Sequence, residues 1–337
     1  MKRVLILGTG GTIASKKHTL GLRPELEIDE LIKLINIPEG ICSIKGLTIM
    51  NIDSTNMTPD KWFIIANHIK DNYQRFDGFV ITHGTDTMAY TAAALTYIFH
   101  NLNKPVIITG SQYPITEFYT DGIQNLTEAV YFAMESISGV FICFDGDLIA
   151  GTRATKIKTK SYDAFVSVNF PVVANIKHNK VIYDTRVKDQ FLQNESKDPL
   201  FIRTKYNDRI IVLKLIPGMH TDIFDFVKEH YDGVIIESFG LGGIPDTEQG
   251  IARKINELIE AGIIVVLTTQ CMEEGVEYGV YEVGSLLPRD KIIIAGDFNT
   301  ETLVAKTMIA MGNYNNVEEI KKYIETPYTY MPLQVGF

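Results

Sequence analysis

Short apolar runs recur along this chain, each closing on a cluster of small polar residues, with helical patterns between them. Residues 4–8, 47–52, 78–82, 105–109 and 139–144 read as strands, and 59–72, 87–100 and 122–137 as helices. Neighbouring parallel strands need a crossover long enough to hold a helix, so this rhythm predicts a parallel sheet covered on both faces. Asp60, Thr87 and Asp121 stand at helix starts, where side-chain oxygens can satisfy free N–H groups. Residues 177–208 lose the rhythm and read as edge strands followed by a connection. It resumes with strands at 210–215, 233–237, 263–268 and 291–295 and helices at 221–231, 248–261 and 300–311. The expected architecture is α/β throughout. A larger Rossmann-like N-terminal domain (1–185) is followed by a linker (186–208) and a smaller parallel C-terminal α/β domain (209–337).

The 337 residues suffice for two domains, each with its own core. Forty-one acids against 32 bases give a net charge of −9, which argues against a nucleic-acid partner. After Lys2 and Arg3 only four apolar residues precede Gly8, too few for a secretory signal, and no apolar run reaches membrane-spanning length. The three cysteines, Cys42, Cys143 and Cys271, are scattered and odd in number, with neither disulfide-framework nor metal-ligand spacing. A reducing, cytoplasmic setting is expected.

The opening run Val4-Leu5-Ile6-Leu7 enters Gly8-Thr9-Gly10-Gly11-Thr12. Open α/β sheets bind ligands outside the carboxyl ends of their strands, which puts Thr12 where a ligand would lie. A dinucleotide fingerprint fails, because Ile13 stands at its third glycine and no acid ends the next strand at the right distance. A phosphate loop fails too, for lack of a lysine after Gly11. What remains is a tight turn carrying backbone amides and one hydroxyl, suited to a nucleophile beside an oxyanion site. Taken alone, a plain cap at Thr12 would be the better reading.

Three further clusters shift that balance. His83-Gly84-Thr85-Asp86-Thr87 joins a buried strand to a helix, with His83 expected to be a buried, hydrogen-bonded core residue. Asp53-Ser54-Thr55-Asn56 follows another strand and offers short polar groups for an amino acid's amine and carboxylate. Gly151-Thr152-Arg153-Ala154-Thr155-Lys156 is expected at the end of strand 139–144, where a lysine could lose its proton and act as a base. Polar clusters at four strand ends of one sheet converge on a small-molecule cleft, and their hydroxyl and lysine content favours acyl transfer by threonine.

These segments resemble the bacterial-type L-asparaginase family, and within it the cytoplasmic type I enzymes of spore-forming Gram-positive bacteria. The resemblance runs through Thr9 to Ala14, Asn51 to Ser54, Ile81 to Ala89 and Arg153 to Lys156, and extends to Thr269-Gln270-Cys271 and Glu301-Thr302. It implies hydrolysis of L-asparagine to L-aspartate and ammonia without metal or cofactor. Thr12 would form a β-acyl-enzyme, with Thr85, Asp86 and Lys156 activating the attacking group. Asp53, Ser54, Thr55, Thr85 and Asp86 would hold the substrate, with amides near Gly11 and Thr85 as oxyanion donors. It also implies a homodimer or homotetramer, and closure of the site by a mobile segment from Ser15 to Glu25. Many members carry a tyrosine in that segment as partner of the nucleophile; here the place is Leu22, and Tyr281 is expected to supply the hydroxyl instead. Thr269 and Cys271 match part of an allosteric site known in some type I enzymes, but Glu237 stands where an arginine would bind the ligand's carboxylate, which argues against allostery. The weaker alternatives are the ammonia-releasing component of a tRNA-dependent amidotransferase, whose threonine motif lies farther from the N-terminus, and a non-enzymatic amino-acid sensor, which would not need Thr12 and Lys156.

Overall fold

Residues 78–82 and 105–109 carry no charged side chain and are buried along their whole length, as strands covered on both faces must be. They lie in the middle of the eight-stranded sheet, the largest among the described residues, in a computed structural model that describes residues 1–19, 21–35, 37–38, 40–178, 180–193, 198–245, 250–277 and 287–327. The chain divides into two units, Met1–Thr204 and Lys205–Phe337.

In chain order the first unit contains β1 (Lys2–Gly10), β2 (Ser15–His18), β3 (Gly21–Pro24), α1 (Ile28–Ile32), β4 (Cys42–Ile52), α2 (Pro59–Asn72), β5 (Gly78–Thr82), α3 (Met88–Ile98), β6 (Phe99–His100), β7 (Pro105–Thr109), α4 (Gly122–Ala133), β8 (Gly139–Phe144), β9 (Asp147–Ala150), β10 (Ala154–Lys156), β11 (Phe165–Ser167), β12 (Ala174–Lys177), β13 (Lys180–Tyr183) and β14 (Phe201–Ile202). The large sheet runs β13-β12-β9-β8-β7-β5-β1-β4. Its last five strands in that order, from β8 to β4, are parallel; β9, β12 and β13 extend it antiparallel. From β1 the chain steps outward to β4, then returns past β1 to β5 on its other side and continues through β7 to β8. The direction of winding therefore reverses between β1 and β5. Such a switch point opens a crevice at the carboxyl edge, because the loops of the two strands leave toward opposite sides.

Helix α3 is apolar on every face and nearly every residue in it is buried, so it packs as a core helix. Burial of its Leu95 and Ile98 side chains stabilises the fold by about 1.5–3 kcal/mol each relative to exposure. Residues expected to form a linker contribute to this unit: Val187 and Phe191 are buried, the Phe191 ring packs 5.2 Å from Phe141, and β14 pairs with β6.

The second unit contains β15 (Ile210–Lys214), α5 (Asp222–His230), β16 (Gly233–Ser238), α6 (Ile251–Glu260), β17 (Ile264–Thr269), β18 (Ile293–Ile294), α7 (Thr300–Asn313) and α8 (Val317–Glu325). Its four strands are parallel and in sequential order, with a core of Val234, Ile235, Ile236, Val265, Val266 and Ile293 among others. The sequence rhythm missed α8, whose single apolar stripe of Ile320 and Ile324 is too short to register as a helix.

Candidate active site

Two glycines explain how the switch-point loops come together. Gly10 and Gly11 have φ of 104° and 79°, a region that side-chain-bearing residues avoid. They are also covered by backbone. A Cβ on Gly10 would lie 2.5 Å from the Ile52 amide nitrogen, and one on Gly11 would lie 2.3 Å from that of Gly84. Gly84 in turn presses on Ser54, whose Oγ would be 2.5 Å from a Cβ there. The loops after β1, β4 and β5 are thus stacked backbone to backbone. A register shift in the β1–β4 pairing, between Gly8 and Gly10, brings Ile52 opposite Gly10. Gly11 N–H donates to Ile52 O at 2.9 Å, and the Thr87 hydroxyl donates to Ser54 O at 2.8 Å. Gly11 therefore has no free amide of its own for an oxyanion, and Thr87, although at the N-cap position of α3, uses its hydroxyl to tie two loops instead of capping.

Thr12 follows this stack in a single 3-10 turn (Thr12–Ala14), partly buried, and its hydroxyl has no hydrogen-bond partner among the described residues. Thr85, only 4% exposed, meets Lys156: Nζ donates to Thr85 Oγ1 at 2.8 Å and to Asp86 Oδ1 at 2.7 Å. Lys156 is 16% exposed and Asp86 57%. An ion pair with so wet a carboxylate contributes at most about 1 kcal/mol to stability, so its effect is to place the ammonium group. With Lys156 as donor in both of those contacts, the Thr85 hydroxyl directs its own proton to Gln112 Oε1, 3.4 Å away.

Gln112 is absent from the residues that the sequence nominates. Its Nε2 donates to Ser161 O at 3.0 Å and Lys158 O at 3.4 Å, which turns Oε1 toward Thr85. Its backbone N–H is held by both oxygens of Asp121, at 3.1 and 2.9 Å. Asp121 sits at the N-cap position of α4 without capping it, and burial pushes its carboxyl up in pKa against the hydrogen bonds from Gln112, Tyr113 and Asn125. The available signal was positional: Gln112 is the third residue after the end of its strand at Thr109, as Thr85 is after Thr82.

Lys156 reaches the site by a route that corrects the sequence expectation. It does not follow the carboxyl end of β8. The chain turns back through β9, antiparallel to β8, and then forms the separate hairpin β10–β11, with Lys156 opposite Phe165. Its glycine, Gly151, fits under α3, where a Cβ would be 3.0 Å from Ala92 O and from Thr96 Oγ1. The segment from Ser15 to Glu25 is likewise not an irregular loop: β2 and β3 pair as a hairpin, Lys17 opposite Leu22, and His18 Nε2 lies 2.9 Å from Glu25 Oε1. Leu22 is exposed.

Asp53 caps a short 3-10 turn, with Oδ1 accepting from the Thr55 amide and hydroxyl, both at 2.9 Å, while Ser54 is buried. His83 is the buried core histidine the sequence suggested. Nδ1 lies 2.7 Å from Gly84 O and Nε2 2.9 Å from Thr91 Oγ1, which also accepts from Trp62 Nε1 at 3.1 Å. Neutral His83 with its proton on Nδ1 satisfies all of these contacts, and burial pulls its pKa down to about 4.

In the second unit Thr269 is buried, its Oγ1 accepting from the Cys271 amide at 3.1 Å, and Glu237 Oε1 accepts from the Thr300 hydroxyl at 2.6 Å. Tyr281 lies outside the described residues. Among the described residues no group of three His, Cys, Asp or Glu could hold a metal ion, and no helix is long and apolar enough to cross a membrane.

Residues 3–188 match the family profile of the asparaginase N-terminal domain, and 209–324 that of the glutaminase/asparaginase C-terminal domain. The chain is 36% identical to L-asparaginase of Thermococcus kodakarensis, over 96% of this chain and 97% of that protein. The solved structure of the thermostable L-asparaginase from that organism superposes with a TM-score of 0.89, covering 96% of this chain and 97% of the other at 33% identity. It is also 35% identical to a component of the glutamyl-tRNA(Gln) amidotransferase of Methanosphaera stadtmanae, over 96% of this chain and 75% of that protein.

Proposed function

The chain belongs to the asparaginase family, and from that premise we propose that it is an amidohydrolase that converts L-asparagine to L-aspartate and ammonia through a threonine acyl-enzyme. The observation that carries this reading is the contact of Lys156 with Thr85 at the switch point of the sheet, where the backbone of Gly11, just before Thr12, is stacked on that of Gly84, just before Thr85.

Thr12 Oγ attacks the side-chain amide carbon. Its proton passes by way of Thr85 to Lys156 and on to the leaving nitrogen, which departs as ammonia. Water then attacks the ester and restores Thr12. The oxyanion is held by the amides of Thr12 and Thr85, the latter near the N-terminal end of α3, where the helix dipole favours negative charge. Asp86 and Asp53 take the substrate's α-ammonium group, and Ser54 and Thr55 its carboxylate. The hairpin β2–β3 closes over the bound amide and excludes water. Tyr281 supplies the hydroxyl missing at Leu22. We further read the protein as a cytoplasmic type I enzyme of the spore-forming Gram-positive branch that assembles as a homodimer or homotetramer.

The test is release of ammonia and aspartate in equal amounts from L-asparagine, with neither tRNA nor nucleotide present. The similarity to an amidotransferase component favours a second reading, release of ammonia for tRNA amidation. Under that reading free L-asparagine alone is turned over poorly, and addition of charged tRNA and the other amidotransferase components stimulates release.

A further inference from the structure

Gln124, Thr127, Glu128 and Tyr131 recur at intervals of three and four, so they share one face of α4. That face looks onto the β12–β13 hairpin at the end of the large sheet, where Ile176 and Val181 stand opposite each other and point the same way. These six residues line a cavity of about 280 Å³, and none of them belongs to the group that meets at Thr85. Glu128 is the unusual member. It is only 8% exposed, and its Oε2 is buried with no hydrogen-bond partner among the described residues. Gln124 Nε2 donates to the other oxygen at 3.0 Å. The charges that act on Glu128 are Asp145 and Asp147, with no basic side chain among them. Burial pushes its carboxyl up in pKa and the two acids push the same way, against Gln124 and the amide of Gly146. Glu135, just after α4, is by contrast supplied with a donor, the Tyr183 hydroxyl, at 2.9 Å. A buried carboxylate oxygen without a donor is costly, and folds keep few such atoms without a reason.

We propose that this cavity is a second binding site, which takes a free primary alkylammonium ion with its N–H groups on Glu128. The polar wall asks for a donor. The Thr127 hydroxyl spends its proton on Ile123 O at 2.6 Å and offers only lone pairs to the cavity, and an ionised Glu128 can only accept. The local field, set by three acids, asks for a positive charge. The last torsion of a glutamate is soft, so a small rotation presents Oε2 to the cavity, with the exposed Gln124 amide following Oε1. Ile176, Val181 and the Tyr131 ring supply apolar wall for a short alkyl chain. An α-amino acid, L-asparagine included, carries a carboxylate beside its amine, which the same three acids repel. The site therefore selects simple amines and is independent of the reaction proposed at Thr12. A metal ion suits it poorly, since among the described residues no three His, Cys, Asp or Glu converge.

Calorimetric titration of the wild-type protein with n-butylammonium chloride at pH 7.5, where an alkylamine is charged, tests this directly. Butanol and sodium butyrate serve as neutral and anionic analogues of similar size, and ammonium chloride shows what the alkyl chain contributes. The protein should bind one butylammonium ion per chain saturably, and each of the other three at least about tenfold more weakly. Glu128→Gln should weaken butylammonium binding at least about tenfold. Val181→Phe, which fills the cavity from the opposite wall and keeps the carboxylate, should do the same, and it carries the test if Glu128→Gln does not fold. Absence of saturable butylammonium binding by the wild type overturns the proposal. So does binding that a folded variant of either kind retains in full, or butanol bound as tightly as butylammonium.

Discussion

Replacement of Gly11 by alanine tests whether the stacked loops hold the site together. Gly11 combines two costs: φ is 79°, and a Cβ would lie 2.3 Å from the Gly84 nitrogen, 2.5 Å from its Cα and 2.8 Å from the His83 carbonyl carbon. All three are backbone atoms that cannot swing aside. Gly146, in the turn between β8 and β9, has nearly the same φ, 85°, and nothing within 4 Å of its Cβ position. Gly146→Ala therefore shows the cost of a positive φ without overpacking, about 1–2 kcal/mol, and Gly11, whose ψ of −179° lies in a region essentially reserved for glycine, costs at least as much before any overpacking. Gly11→Ala adds overpacking of about 1–3 kcal/mol. For a unit of 204 residues, each kcal/mol lowers Tm by about 2–4 °C, so Gly11→Ala should melt about 2–12 °C below Gly146→Ala. Scanning calorimetry of the two variants and the wild type measures this directly. The folded Gly11→Ala protein should also lose most activity, because Thr12 and Thr85 adjoin the displaced backbone, whereas Gly146→Ala should keep it. Equal melting temperatures for the two variants would refute the stacking argument.

Three other outcomes are expected. Gln112→Met removes the acceptor of the Thr85 hydroxyl, and loss of one neutral hydrogen bond should lower kcat about threefold to tenfold with KM little changed; an unchanged kcat in steady-state assays would remove Gln112 from the site. His83 is neutral in the fold because its pKa is lowered from 6.5 to about 4, so the unfolded chain takes up a proton first as the pH falls. Stability should be unaffected by His83 above pH 6.5 and should decline by about 3 kcal/mol on the way to pH 4, a slope that urea unfolding should find flattened in His83→Gln. Glu237, whose Oε1 accepts from the Thr300 hydroxyl, is expected to repel a ligand carboxylate, so the rate should rise hyperbolically with asparagine concentration, and a sigmoidal curve would show an activating site.

The parts of the fold legible in the sequence are those buried on both faces. β5, β7 and β8 have continuous apolar runs, and their bounds can be read from the chain. β4 is an edge strand with no buried residue, alternating between half-buried and exposed in its first half; that half lacks an apolar run, so only residues 47–52 register as a strand. The antiparallel extension from β9 to β13 is built of four-residue strands, too short for a periodic signal. In the site, the polar clusters at strand ends together with the family resemblance nominated Thr12, Thr85, Asp86 and Lys156, and the last three meet through hydrogen bonds. The route of Lys156 was misplaced because a reversal of strand direction leaves no mark on composition. Gln112 escaped because its effect depends on which way its amide faces, and that is set by two carbonyl groups more than 40 residues away in the chain. The turn chemistry was clear from the glycines, but that they admit the backbones of two other loops becomes visible only in three dimensions.

The central claim is that Thr12 is the nucleophile and that the hydrolysis needs no other hydroxyl in its place. Its most direct test is the rate of ammonia release from saturating L-asparagine by the wild type and by Thr12→Ala, with calorimetric asparagine binding confirming that the variant's site is intact. A nucleophilic Thr12 predicts a loss of at least about a thousandfold with binding retained. Equal rates for the two proteins would contradict it.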